Sequence, residues 1–365
     1  MKKTRFHNED TTLQRAAETT RAWRRASGLE GLVGGLTGIV INAEPARFES
    51  ATAELMATTG LDLCDAFEDD ASQTAVLADT GTVDVLVQCR KNGPNPFEAF
   101  NQQPESKKLP NTRIETLIFT TEDIDRYLSI ERAHGSAFLT GQAIAGDGFR
   151  FVETPPSPFT GTSTGLIERR GRGRVYRQRR SRDLNLRIVK PDRAHLHNVK
   201  GIDHLATRLQ AASRDAAIIE CMRLTNYNFE FSIYVESMNS ITNVTRCSKE
   251  CPALVFTAGI SEYDATDEVG PTEKFVRHYG ARVHHIAFAT EHIEETYDAL
   301  ARDGMRYLVE LVGSREEGLK QTFTVPSRET MLVTEYIHRY DDFDGFFTKS
   351  NVTLLTAASD YTPSD

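Results

Sequence analysis

The sequence predicts an α+β fold built from duplicated paired βαβββ modules, set out as two tandem domains. Three observations lead there. The chain has 365 residues, and domains run to about 100–200 residues each. From Gly31 onward, short apolar runs alternate with turn residues and with helical patterns. The segment Thr116-Leu-Ile-Phe-Thr-Thr-Glu-Asp-Ile-Asp125 returns as His285-Ile-Ala-Phe-Ala-Thr-Glu-His-Ile-Glu294. From 116 to 285 the offset is 169 residues, and the register runs without a gap through Gly135/Gly304 to Leu139/Leu308.

Taken in order, residues 1–30 read as an amphipathic tail with one helical stretch, Thr12–Arg25. A first domain over 31–168 carries candidate strands at Gly38–Asn42, Val83–Cys89, Ile114–Thr120, Phe149–Glu153 and Thr164–Glu168. Each copy of the repeat reads as a strand, a helix ending at glycine, and a further strand; Thr121 and Thr290 are placed to cap the helices. The segment 169–198 is rich in arginine and glycine and reads as an exposed linker. A second domain, 199–365, repeats the alternating pattern to about Arg339 and ends on a helix near Val352–Ala358.

Composition narrows the function. Hydrophobic residues make up 39% and charged residues 26%, values of a folded chain with a core. Lys plus Arg total 43 against 52 for Asp plus Glu, a net charge of −9, the wrong sign for a nucleic-acid binder. No apolar run reaches the roughly 18 residues of a membrane span, and no secretory signal is visible. The five cysteines are scattered and read as reduced thiols of a cytoplasmic protein. Cys247-x-x-x-Cys251 lacks the second pair of a zinc site. Gly31–Gly38 lacks the lysine of a phosphate loop and reads as a close-packed first strand.

The duplication makes the differences between the copies informative. Two further pairings keep nearly the same offset: Leu36–Val40 with Ile202–Ala206, and Gly165–Arg169 with Glu335–Arg339. His204 then stands where the first half has Gly38, His285 where it has Thr116, and Glu335 where it has Gly165. Two histidines and a carboxylate on three strands suit a divalent metal, and this set with open positions opposite is that of non-heme Fe(II) oxygenases. Strand alternation sends His284 and His285 to opposite faces, and the repeat register selects His285. His195 and His197 read as residues on the approach to the first ligand strand.

These features resemble the vicinal oxygen chelate superfamily, which includes glyoxalase-like folds, and within it the 4-hydroxyphenylpyruvate dioxygenase and hydroxymandelate synthase group. The resemblance rests on Gly201-Ile-Asp-His-Leu205, Val283-His-His-Ile-Ala287, Gly318–Pro326, Thr334-Glu-Tyr-Ile-His-Arg339 and the tail Gly345–Asn351. It implies that His204, His285 and Glu335 bind Fe(II), with Mn, Zn, Ni or Co as alternative metals. It implies that Gln321 lines the active site and that Phe323 and Phe346 close over the substrate. The reaction implied is oxidative decarboxylation and hydroxylation of a small 2-oxo acid with O2, as in aromatic amino acid catabolism, by a protein free to form homo-oligomers. The chain departs from the group at Phe256-Thr-Ala-Gly259, where a proline and an asparagine are usual, at Gly270-Pro-Thr-Glu273, and at Val352. A non-redox isomerase, lyase or epimerase using the metal as Lewis acid is the alternative enzyme class. An inert protein that binds a small anion is a third reading.

Overall fold

The structure, a computed structural model, describes residues 6–358 except 80, 82, 172, 265–268, 342, 346 and 347. It opens with helix α1 (Asp10–Ser27). One module follows as β1 (Val33–Asn42), α2 (Phe48–Thr58), β2 (Asp62–Glu68), β3 (Ser72–Ala78) and β4 (Asp84–Arg90). The next is β5 (Arg113–Thr121), α3 (Ile124–Ala133), β6 (Ile144–Ala145), β7 (Phe149–Glu153) and β8 (Ser163–Arg169). A short β9 (Arg182–Asp183) lies in the arginine-rich segment. The third module is β10 (Val199–Arg208), α4 (Arg214–Leu224), β11 (Asn228–Val235), β12 (Ser240–Arg246) and β13 (Ala253–Ala258). Helix α5 (Pro271–Tyr279) precedes the fourth: β14 (Arg282–Thr290), α6 (Ile293–Arg302), β15 (Val312–Ser314), β16 (Leu319–Phe323) and β17 (Val333–Arg339). Helix α7 (Lys349–Ala358) closes the described chain.

The strands form two curled mixed sheets. The first has the order β9-β2-β3-β4-β1-β5-β8-β7-β6 and the second β11-β12-β13-β10-β14-β17-β16-β15. Leaving out β9, the two orders correspond strand for strand. Residue register matches as well. Gly38 and Gly165 both sit opposite Ile118, as His204 and Glu335 both sit opposite Ala287. The expected α+β duplication of paired βαβββ modules is what the chain adopts.

Alternation along the strands sorts side chains onto two faces. Ile39, Ile41, Val85, Val87 and Phe119 join one apolar cluster that runs under the helices and continues through Leu205, Leu254, Ile286 and Tyr336 of the second sheet. Val40, Leu86, Ile118 and Ile167 point the other way, into the hollow of the first sheet. The two halves therefore share a core on their helix-bearing faces, and each keeps a hollow of its own.

Four expectations need correction. Thr121 and Thr290 do not cap: both still belong to strands, and their hydroxyls donate to the carbonyls of Leu32 at 3.0 Å and Phe288 at 2.9 Å. The first of these helices is capped by Asp123, which accepts from Arg126 N at 2.9 Å. The opening helix is no loose tail. Leu13 and Ala17 are buried, and Arg24 Nη1 donates to the carbonyls of Met222, Thr225 and Tyr227 at 2.8–3.0 Å, closing the C-terminus of α4. Nor is the arginine-rich segment simply solvated. Arg174 and Tyr176 reach Asp84, and Arg177 pairs with Asp65 and Asp183, so the segment is laid across the first sheet.

The fourth correction bears on the site. His285 pairs with Ala206 and Val283 with Thr207, which leaves His284 as an extra residue in β14 with no partner position on β10. Such a bulge breaks strict alternation, so His284 and His285 both face the hollow instead of opposite sides. The first half repeats the device: Thr116 pairs with Val40 and Ile114 with Ile41, leaving Glu115 as the bulged residue.

A candidate metal centre in the second half

Three adjacent strands, β10, β14 and β17, place the cluster. His204 and Glu335 flank Ala287 from either side. His285 lies two residues back along β14 and shares that face. One ligand atom from each of His204, His285 and Glu335 falls within 4.8 Å of the others. Glu335 Oε2 stands 3.1 Å from His204 Nε2 and 3.3 Å from His285 Nε2. His204 and Glu335 are wholly buried.

The surroundings orient these groups. His204 Nδ1 lies 2.7 Å from Asp203 Oδ1, and Arg339 holds the other Asp203 oxygen. A ring proton committed to Asp203 turns Nε2 and its lone pair toward the cluster. His285 Nδ1 lies 2.9 Å from His284 Nδ1. Burial, then the charge of Arg208, pushes His284 well below the usual histidine range. Neutral His284 can therefore accept the His285 Nδ1 proton and leave Nε2 of that ring for a ligand.

Charge in the cluster is tightly rationed. Burial opposes a proton on His204, but the Glu335 carboxylate and the Asp203 hydrogen bond outweigh it and push the imidazole up to about 9. Burial, then charged His204, pushes His285 well below its usual range. The two rings titrate in opposite directions because one buried carboxylate compensates one positive charge. Neither buried oxygen of Glu335 accepts a well-aligned hydrogen bond. Carboxylate oxygens without donors are costly in a buried setting, and two imidazole nitrogens facing them complete a donor set that fits a divalent cation.

The remaining expected residues divide. Phe323 is buried, and its ring lies 4.8 Å from that of His285. Gln321, two positions back along β16, is fully buried, and among the described residues neither its Oε1 nor its Nε2 has a hydrogen-bond partner. Phe346 lies outside the described residues. His195 is near Asp303 at 3.7 Å and not in the cluster. Glu273, at a point where the sequence departs from its resemblance, accepts from the backbone N–H groups of Ala211, Gly259 and Tyr263 and so ties α5 to β13. Sequence reasoning missed His284, Asp203 and the hollow-facing Arg208. The doublet His284-His285 and the acid beside His204 were visible signals. A hollow of about 40 Å³ beside the cluster is lined by Arg208, His284, His285 and Phe323 and, from α7, by Val352, Leu355 and Thr356.

Comparison with known proteins bears on the fold. No family model matches the sequence, and no curated protein matches it significantly. A triple variant of 4-hydroxymandelate synthase from Streptomyces coelicolor superposes with a TM-score of 0.68 at 18% identity, covering 90% of this chain and 98% of that one. A fusion of a xylose isomerase-like TIM barrel with 4-hydroxyphenylpyruvate dioxygenase gives 0.62 at 16% identity, covering 94% of this chain and 56% of the fusion. With matching sheets, matching module order and these likenesses, the chain has the vicinal oxygen chelate fold, in the two-domain form that it shares with 4-hydroxymandelate synthase.

Proposed function

We propose that this protein is an Fe(II)-dependent dioxygenase of the 4-hydroxyphenylpyruvate dioxygenase type, which oxidatively decarboxylates and hydroxylates a 2-oxo acid. The observation that carries the reading is the His204–His285–Glu335 cluster, with its buried carboxylate between two imidazoles, on three adjacent strands of this fold. The metal, when bound, supplies the redox chemistry and the positive charge on which a 2-oxo acid chelates.

The chain supplies the rest. Asp203 and His284 fix the ring orientation of the two histidines. Phe323 forms an apolar wall against His285. Gln321 offers both a donor and an acceptor, neither engaged by the protein, to a polar group of the substrate. Helix α7 closes the hollow and excludes water. Arg208 adds a fixed positive charge to the wall, which favours an anionic substrate.

The test is oxygen consumption by protein loaded with Fe(II) under anaerobic conditions, on addition of 4-hydroxyphenylpyruvate and of a panel of other 2-oxo acids. Oxygen uptake matched to CO2 release by one of these acids is the expected result. Bound iron with no uptake on any of them overturns the dioxygenase reading.

A further inference from the structure

The hollow of the first half measures about 500 Å³. No helix equivalent to α7 covers it among the described residues. Its volume falls in the range of about 300–1,000 Å³ usual for small-molecule sites. We propose that this hollow binds a small organic cation, an ammonium on an aromatic or aliphatic body, with Glu153 as its counter-ion.

The walls suit the body of such a ligand. Leu86, Ile118, Phe149 and Phe151 line them. Two other aromatic rings at this sheet are already engaged by arginines, Phe67 by Arg177 and Tyr176 by Arg169. Phe149 and Phe151 are not so used, and aromatic faces attract ammonium groups.

The polar groups choose the sign of the charge. Arg90 and the buried, bulged Glu115 form a closed bidentate pair, with Nη1 to Oε1 at 2.7 Å, and neutralise each other. Arg174 and Arg177 are held by Asp84, Asp65 and Asp183. Asp69, at the rim, accepts from the N–H groups of Ala71 and Ser72. Glu153 remains. Its hydrogen-bond partner is Thr116 Oγ1 at 3.0 Å, and it forms no ion pair among the described residues. A half-buried carboxylate among apolar walls, without its own cation, gains most from an ammonium and repels an anion. Burial accordingly pushes the Glu153 carboxyl up. The register adds a second argument. Glu153 lies opposite Gly165 and Phe323 opposite Glu335, so Glu153 stands where the metal half has its aromatic wall. In the first half an acid without an ion pair among the described residues thus takes the place of that wall, in an open hollow.

The experiment is calorimetric titration of the full chain with three probes of one size: 2-phenylethylammonium, 2-phenylethanol and 3-phenylpropionate, followed by a series of aliphatic primary amines. An ammonium of the set is expected to bind at least tenfold more tightly than the alcohol, and the carboxylate not at all. Glu153→Gln is expected to remove that preference, and Leu86→Trp, which fills the hollow, to remove binding altogether. Glu335→Gln, in the other half, is expected to leave ammonium binding unchanged. Circular dichroism and the thermal midpoint confirm that each variant is folded. Tighter binding of 3-phenylpropionate, an unchanged ammonium affinity in folded Glu153→Gln, or no binding by any amine overturns the proposal.

Discussion

The two halves of this chain have the same strand order, the same register and the same bulge, and opposite interiors. One interior is filled by α7 and lined by two imidazoles and a carboxylate. The other is open, and its three matching positions are Gly38, Thr116 and Gly165. The difference lies in a few side chains and one helix, not in the scaffold. A curled sheet of eight or nine strands can evidently hold its inward positions constant in space while their chemistry changes, because the shared core lies on the opposite face.

Removing the cluster should have the largest effect. His204→Ala or Glu335→Ala is expected to lower bound metal from about one per chain to near none, with loss of turnover. Metal analysis after dialysis checks it, and a variant that keeps full metal would move the site elsewhere. Next comes the attempt to convert the empty half. The triple substitution Gly38→His, Thr116→His and Gly165→Glu should bind no second metal and should destabilise the fold by about 1–3 kcal/mol, the usual cost of overpacking. A Cβ at Gly165 would meet the Phe151 ring at 2.8 Å, and one at Gly38 would meet Tyr176 Oη at 3.2 Å. A second metal bound at unchanged thermal stability would erase the contrast between the halves.

The groups behind the ligands come third. Asp203→Ala, or His284→Phe, is expected to weaken metal binding by roughly 10–100-fold, as loss of outer hydrogen-bond partners does, while leaving one metal per chain at saturation. Competition with a chelator measures it. The smallest effect is expected from Thr116→Ala. It should leave metal content unchanged and shift stability by about 1 kcal/mol, the worth of one hydrogen bond. Loss of metal in that variant would place the centre in the wrong half.

Much of this was legible in the sequence, for identifiable reasons. The pairing of His204 with Gly38, His285 with Thr116 and Glu335 with Gly165 survives because the ladder fixes register on each strand, and the offsets of 166, 169 and 170 residues differ only through the connections between strands. His284 was misjudged because alternation assumes an unbroken ladder, and a bulge leaves no mark in its own residue types. The caps at Thr121 and Thr290 failed because both residues are still the last positions of their strands, β5 running one residue past the expected Thr120. Arg24 looked like one more basic residue of a tail, since its partners are backbone carbonyls about 200 residues away and carry no sequence signal. Glu115 and Glu153 stand at the positions of His284 and Phe323, a correspondence that only the strand register shows.

The docking of α1 carries a consequence for how this chain is made. The carbonyls that Arg24 closes come some two hundred residues after it in the chain. Until the second half is in place Arg24 lacks these acceptors, although Trp23 already has His134 and the Gly28 carbonyl already has Arg126 within the first half. The closing of so long a loop is an entropic cost met late, and non-local contacts of this kind slow the final step of folding. The packing of α1 is thus tied to the half that carries the His204–His285–Glu335 cluster.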